Sequence, residues 1–206
     1  MLVAKQLTLW RGPLCLFENL SFAVKTHSVL LIRGSNGSGK TTLLRVLCGL
    51  SRPESGAVEW NNESIESGRS LYGAQIAYYG HLTGLKADLT VSQNLSFAAR
   101  LLGRAGNPWQ DALEALDLSH CANLAARYLS AGQQRRAALA RVLMSGAALW
   151  IMDEPFTNLD QAGREFLEDE MTHHLERGGS AVVAAHHELN LPPEQLARIE
   201  LGEVNG

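Results

Sequence analysis

The sequence predicts an α/β domain built on a mostly parallel sheet, and three observations carry that prediction. Short runs that are apolar on successive positions recur at Val29-Leu30-Leu31-Ile32, Leu149-Trp150-Ile151-Met152 and Ala181-Val182-Val183-Ala184-Ala185, each followed at once by a glycine or a polar residue. Such runs suit strands buried on both faces, as a parallel sheet requires. Helical patterns separate them, notably Thr42 to Leu50 and Gln133 to Met144. A glycine-rich stretch joins the first run to the first helix. Strand–helix alternation of this kind is the mark of parallel β-α-β units.

The elements follow in order. Residues 1 to 28 and about 56 to 60 read as short half-buried strands with turns, so a small antiparallel sheet is expected at the N-terminus. Ile76 to Tyr79 reads as another strand. Residues from about 90 to 128 read as helical, with Val91 to Ala99 and Trp109 to Leu118 separated by the breaker Gly103 to Pro108. This stretch is expected to be a helical insert, about 90–135, within one domain spanning 1–206.

Composition sets the outer bounds. The chain has 206 residues, 46% hydrophobic and 19% charged, with a net charge of −3. That is globular, and it offers no basic field for nucleic acid. Cys15, Cys48 and Cys121 are far apart and form no C-x-x-C, which supports neither a disulfide framework nor a zinc site and suits a reducing compartment. Lys5 and Gln6 interrupt the N-terminal apolar segment, so no signal peptide is expected. No run approaches the ~20 apolar residues of a spanning helix.

The motif that carries most chemistry is Gly34-Ser35-Asn36-Gly37-Ser38-Gly39-Lys40-Thr41, which fits G-x-x-x-x-G-K-[ST] between a strand and a helix. Its glycines let successive backbone N–H groups turn toward phosphate oxygens, and the next helix adds its positive end near Thr42. Lys40 is a point charge for the β- and γ-phosphates, and Thr41 offers a hydroxyl to Mg²⁺. The run Leu149 to Met152 ends in Asp153-Glu154. Two adjacent carboxylates repel unless a metal or a proton separates them. Asp153 on the metal and Glu154 on a water suit nucleotide hydrolysis. A third motif, Leu129-Ser130-Ala131-Gly132-Gln133-Gln134-Arg135-Arg136, opens a long helix, with Ser130 as a good N-cap and Gly132 permitting close approach. It reads either as a plain helix start or as a second anion-binding helix terminus.

These motifs, in this order and spacing, resemble the ATP-binding subunit of an ABC transporter. Leu129 to Gln133 is similar to the family signature L-S-G-G-Q, with Ala131 in place of one glycine. Thr157-Asn158-Leu159-Asp160 resembles the loop that follows the catalytic glutamate, Asp160 being its dimer-loop residue, and His186 resembles the switch histidine. The resemblance implies ATP and Mg²⁺ as ligands. It also implies a head-to-tail dimer in which Ser130, Ala131, Gly132 and Gln133 of one subunit complete the ATP site of the other, and membrane subunits as further partners. Trp10 is the candidate for stacking on adenine, with Arg11 as the alternative through its planar guanidinium. The family's glutamine after the strand at 76–79 falls on Leu82 or, with one shift, on His81. Leucine cannot bind Mg²⁺, so either His81 substitutes or coupling differs. His173-His174 are expected to be solvated, Cys48 to be core rather than a haem ligand, and His186 rather than His187 to be the switch.

Length, the Ser130 to Arg136 run, Trp150 to Thr157 and Gly80-His81 with Gly84-Leu85-Lys86 further resemble the haem-exporter ATPases of cytochrome c maturation. That resemblance implies a peripheral subunit on the cytoplasmic face of the bacterial inner membrane. Because the chain ends about twenty residues after His186, no C-terminal regulatory domain is expected. An ABC ATPase for another substrate, or a non-transport ABC ATPase such as an iron–sulfur assembly subunit, stays open at this point.

Overall fold

The computed structural model describes residues 1–103 and 109–202. The chain opens with a hairpin, β1 (Leu2–Arg11) and β2 (Leu14–Val24), and passes to β3 (Val29–Gly34), α1 (Lys40–Leu47), β4 (Ser55–Trp60) and the two-residue β5 (Glu63–Ser64). Then come α2 (Arg69–Gly73), β6 (Ile76–Tyr79), α3 (Val91–Leu101), α4 (Trp109–Ala115), α5 (Ala131–Leu143), β7 (Leu149–Asp153), α6 (Gln161–Glu176), β8 (Ser180–Ala184) and β9 (Leu196–Leu201). The anticipated N-terminal sheet is present as an antiparallel array ordered β2-β1-β4-β5. The core sheet is parallel throughout, ordered β6-β7-β8-β3-β9.

Alternation across the core strands explains why they are apolar at every position. Leu30, Ile32, Leu149, Ile151, Val182 and Ala184 turn to one face, where they pack with α1 and the antiparallel sheet through Leu43, Leu44, Leu47, Leu7 and Phe17. Val29, Leu31, Trp150, Met152, Ala181 and Val183 turn to the other, against α3, α4, α5 and α6 through Leu95, Leu113, Leu139 and Leu167. With both faces covered, polarity is confined to the strand ends.

The helical stretch is shorter than its sequence pattern. A capping box at Thr90, closed by Gln93, starts α3, and Gly103 follows with a left-handed φ of +64°. The rest of the predicted breaker, 104–108, lies outside the described residues. The second helix ends at Ala115, and one-turn 3₁₀ segments at Ser119–Cys121 and Ala126–Tyr128 lead to α5.

Two expectations need revision. Strand β9 was not anticipated. Its apolar positions are interrupted by Arg198 and Glu200, because it is an edge strand paired only with β3. His174 is not solvated: its ring stacks on Trp150 (centroids 4.0 Å apart, 7° between planes), and its Nε2 lies 3.1 Å from the Ser180 carbonyl. Burial holds its pKa below the ordinary value. His173 is exposed as expected. Cys48 is half-buried against the α1 core, and burial pushes its thiol up to about 12.

Gly56 shows how tightly the antiparallel sheet joins. Its φ is +89°, and a Cβ there would come within 2.4 Å of the carbonyl oxygens of Lys5 and Gln6. Gly56→Ala should therefore cost about 2–4 kcal/mol, because both the backbone conformation and the close approach are lost. Thermal unfolding should show Tm falling on the order of 10 °C.

Candidate functional site

The site forms at the carboxyl ends of β7, β8 and β3, neighbours in that order, with the loop after β3. Gly34, at the end of β3, has φ +144°, and a Cβ there would come within 2.4 Å of the Leu201 carbonyl oxygen and 2.6 Å of Ser38 Oγ. The loop then curls through Ser35, Asn36 and Gly37, all exposed, with Gly37 at φ +88° and open space around it. Gly39, left-handed at +96°, delivers the chain into α1 without any side-chain cap. The first-turn N–H groups of α1 are thus left for a ligand rather than for the protein.

Lys40 is buried, and its ammonium donates to the carbonyls of Gly34 (2.7 Å) and Ser35 (3.0 Å). Ser38 Oγ is buried and has no hydrogen-bond partner. An orphaned hydroxyl beside a cation satisfied only by the loop's own carbonyls is the arrangement a phosphate group would complete. A cavity of about 230 Å³ lies over this loop, lined by Asn36, Gly37, Gly39, Lys40, Thr41, Thr42, Asp153 and Glu154, with Arg11 and Leu16 on its hairpin side.

Asp153, the last residue of β7, is buried, and its Oδ2 accepts from Thr41 Oγ1 at 2.8 Å. This pair of hard oxygens suits Mg²⁺. Among the described residues no group of three or more His, Cys, Asp or Glu could hold a metal ion. A cation beside Thr41 and Asp153 would therefore need oxygens the chain does not supply, such as those of a nucleotide.

Glu154 follows Asp153 in a left-handed conformation, φ +48°, its N–H bonded to the Ala184 carbonyl at 2.9 Å. Its Oε1 is buried, lacks a hydrogen-bond partner, and stands 3.3 Å from His186 Nε2, an ion-pair distance. Burial raises the Glu154 pKa, while His186 and Lys40 pull it down and Asp153 pushes it up. His186 follows β8 by two residues and is exposed, with its carbonyl held by Arg33 Nη2 at 3.2 Å. His187 instead meets Phe156 edge-on and lies 4.0 Å from Glu168. The two histidines point apart, and His186 is the one that reaches Glu154.

Several anticipated residues lie outside this cavity. Trp10 does not line the cavity, whereas Arg11 does. Successive residues of β1 face opposite sides, so only one of these two neighbours lines the cavity. Ser130, Ala131, Gly132 and Gln133 do not line it either. They form the start of α5, with Ser130 Oγ accepting from the Gln133 N–H and the Gln133 side chain returning to the Ser130 N–H. Asp160 caps α6 by accepting from the Gly163 N–H at 2.9 Å. Leu82 is 85% exposed, and neither it nor His81 lines the cavity. Leu16, which packs under Gly39, was not singled out by sequence; its signal is the in–out alternation of the hairpin.

The raised Glu154 pKa has a consequence for stability. A carboxyl whose pKa the fold raises contributes stability that is complete below its unfolded value, near 4.5, and lost as pH rises through the higher folded value. Glu154→Gln stays neutral throughout. Its Tm should match wild type at about pH 4 and exceed it increasingly toward pH 8. A difference that shrinks with rising pH would contradict burial as the dominant cause.

Comparison with known proteins agrees with this geometry. Residues 17–157 match the ABC transporter family. The cytochrome c biogenesis ATP-binding export protein CcmA of Nitrosococcus oceani is 44% identical over 181 residues, covering 88% of this chain and 83% of the relative. The protein of that name from Photobacterium profundum is 40% identical, covering 98% and 100%. Among solved structures, the dimeric bacterial ABC transporter cassette MJ0796 superposes with a TM-score of 0.86 over 100% of this chain and 97% of its own, at 22% identity, which speaks to the fold. The chain belongs to the ABC transporter family, among the cytochrome c biogenesis ATP-binding export proteins.

Proposed function

We propose that this chain, read as one ATPase domain over 1–206 with a helical subdomain at about 90–135, hydrolyses ATP for a membrane complex that exports or releases haem during c-type cytochrome assembly. The observation that carries the ATPase part is the convergence of Thr41–Asp153 and Glu154–His186 on one edge of the sheet, above Lys40 and the phosphate loop. Lys40 exchanges its two loop carbonyls for phosphate oxygens. Thr41 and Asp153 would hold Mg²⁺, which would supply positive charge against the phosphates. Glu154, as its carboxylate, accepts the proton of an attacking water, and His186 orients the carboxylate and senses the γ-phosphate. Arg11 supplies the planar face for adenine.

A chain whose phosphate cavity lacks its own signature supports a head-to-tail dimer. Ser130, Ala131, Gly132 and Gln133 of a second copy then close each site, with Asp160 near the seam. No helix among the described residues is long and apolar enough to cross a membrane. Integral membrane subunits on the bacterial inner membrane, with this chain on their cytoplasmic face, would complete the machine. The haem assignment rests on the printed role of the relatives in cytochrome c biogenesis.

Glu154→Gln should lower kcat by at least about 10²-fold, keep ATP affinity within a few-fold, and trap a dimer with ATP on size exclusion. Turnover at the wild-type rate would remove Glu154 as the base. Lys40→Ala should lose ATP affinity in equilibrium binding, and unchanged affinity contradicts the phosphate-loop role. Affinity purification from the native membrane should bring down haem-handling integral membrane proteins; recovery of the chain without membrane partners would overturn the transport reading.

A further inference from the structure

The loop that departs from the family pattern, His81 to Gly84, is held by two arginines of α5. Arg135 is a buried residue on the first turns of that helix, 8% exposed. No Asp or Glu among the described residues pairs with it, and its Nη1 makes no hydrogen bond. Its guanidinium sits over the Tyr79 ring, 5.8 Å from the centroid, and Nη2 stands 3.5 Å from His81 Nδ1. Six residues further along, Arg141 Nη1 donates to the Thr83 carbonyl at 3.1 Å, and a Cβ on Gly84 would come within 2.8 Å of the same nitrogen. Burying a guanidinium without a carboxylate is expensive, so a fold that keeps one there is using it for position.

The chemistry of the contact is directional. A guanidinium only donates, so His81 Nδ1 must be the acceptor and the ring hydrogen must reside on Nε2. The Nε2–H edge therefore faces away from α5. Tyr79 pairs with Met152, one residue before Asp153, so the His81 loop leaves the sheet beside the Asp153-Glu154 end of β7.

We propose that Arg135 is a positioning residue for His81: it fixes the ring as the Nε2–H tautomer, donor edge turned from α5, and with Arg141 ties this loop to the helix that begins at Ser130. The loop and the signature helix then move as one body. The kinetic part of this proposal rests on the ATPase reading above; the tautomer part does not.

Two measurements on the purified full chain test it. Side-chain ¹⁵N spectra should show His81 with an unprotonated Nδ1 and a protonated Nε2. Arg135→Met should abolish that pattern, and Arg135→Lys should restore it in part. Under ATP turnover, Arg135→Met and His81→Ala should each lower kcat about tenfold with KM within about twofold, and the double variant should fall no further than the worse single one. An unchanged His81 tautomer in Arg135→Met, or additive losses in the double variant, overturns the proposal. If Arg135→Met does not fold, wild-type kcat in His81→Ala alone overturns it. Should no wild-type turnover be measurable, the ATPase reading fails while the ¹⁵N test still stands.

Discussion

Strands β3, β7 and β8 are covered on both faces, so a charge along their length would cost several kcal/mol in desolvation. Polar chemistry can enter this sheet only where the strands run out. At one edge, β3 ends in Gly34 and the phosphate loop, β7 in Asp153 and Glu154, and β8 two residues before His186. The parallel register brings those ends together, since Asp153 pairs with Ala184 and Ile32 with Ala184 from the other side. Ligand crevices lie outside the carboxyl ends of parallel strands for this reason.

The same edge concentrates the unfavourable features of the molecule. Glu154 is left-handed and partly buried beside Asp153, Ser38 keeps an unpaired hydroxyl, and Lys40 is satisfied by loop carbonyls. The left-handed backbone of Glu154 and the unpaired hydroxyl of Ser38 each cost stability in the chain by itself. Strain and unsatisfied groups at one place, in a fold whose core elsewhere is closely packed, mark where the structure waits for its ligand. Arg135 extends the pattern: a buried cation with no carboxylate paired to it among the described residues, set against the loop beside β7.

Much of this was legible in the residues. The core strands announced themselves because burial on both faces requires apolar residues at every position, and the phosphate loop because Gly34 and Gly39 sit at positive φ where a side chain would collide or strain. The motifs could offer Thr41 and Asp153 to one metal, but not bring them into contact. Edge strand β9 escaped because one exposed side admits Arg198 and Glu200. His174 was misjudged because its neighbours in sequence, Glu176 and Arg177, are charged, while its neighbour in space is Trp150. That Arg11 rather than Trp10 lines the cavity follows from a one-residue strand register that composition does not encode.

What the sequence determined by itself is the local chemistry: which segments must be buried, which loop can wrap a phosphate, and which carboxylates end a strand. These follow from side-chain hydrophobicity and backbone freedom within a few residues of one another. Only the tertiary structure decided which distant groups meet, because that depends on strand order and register. It set Thr41 against Asp153, gave Glu154 to His186 rather than His187, and placed Arg135 on His81. It also left Ser130 to Gln133 outside the cavity of their own chain.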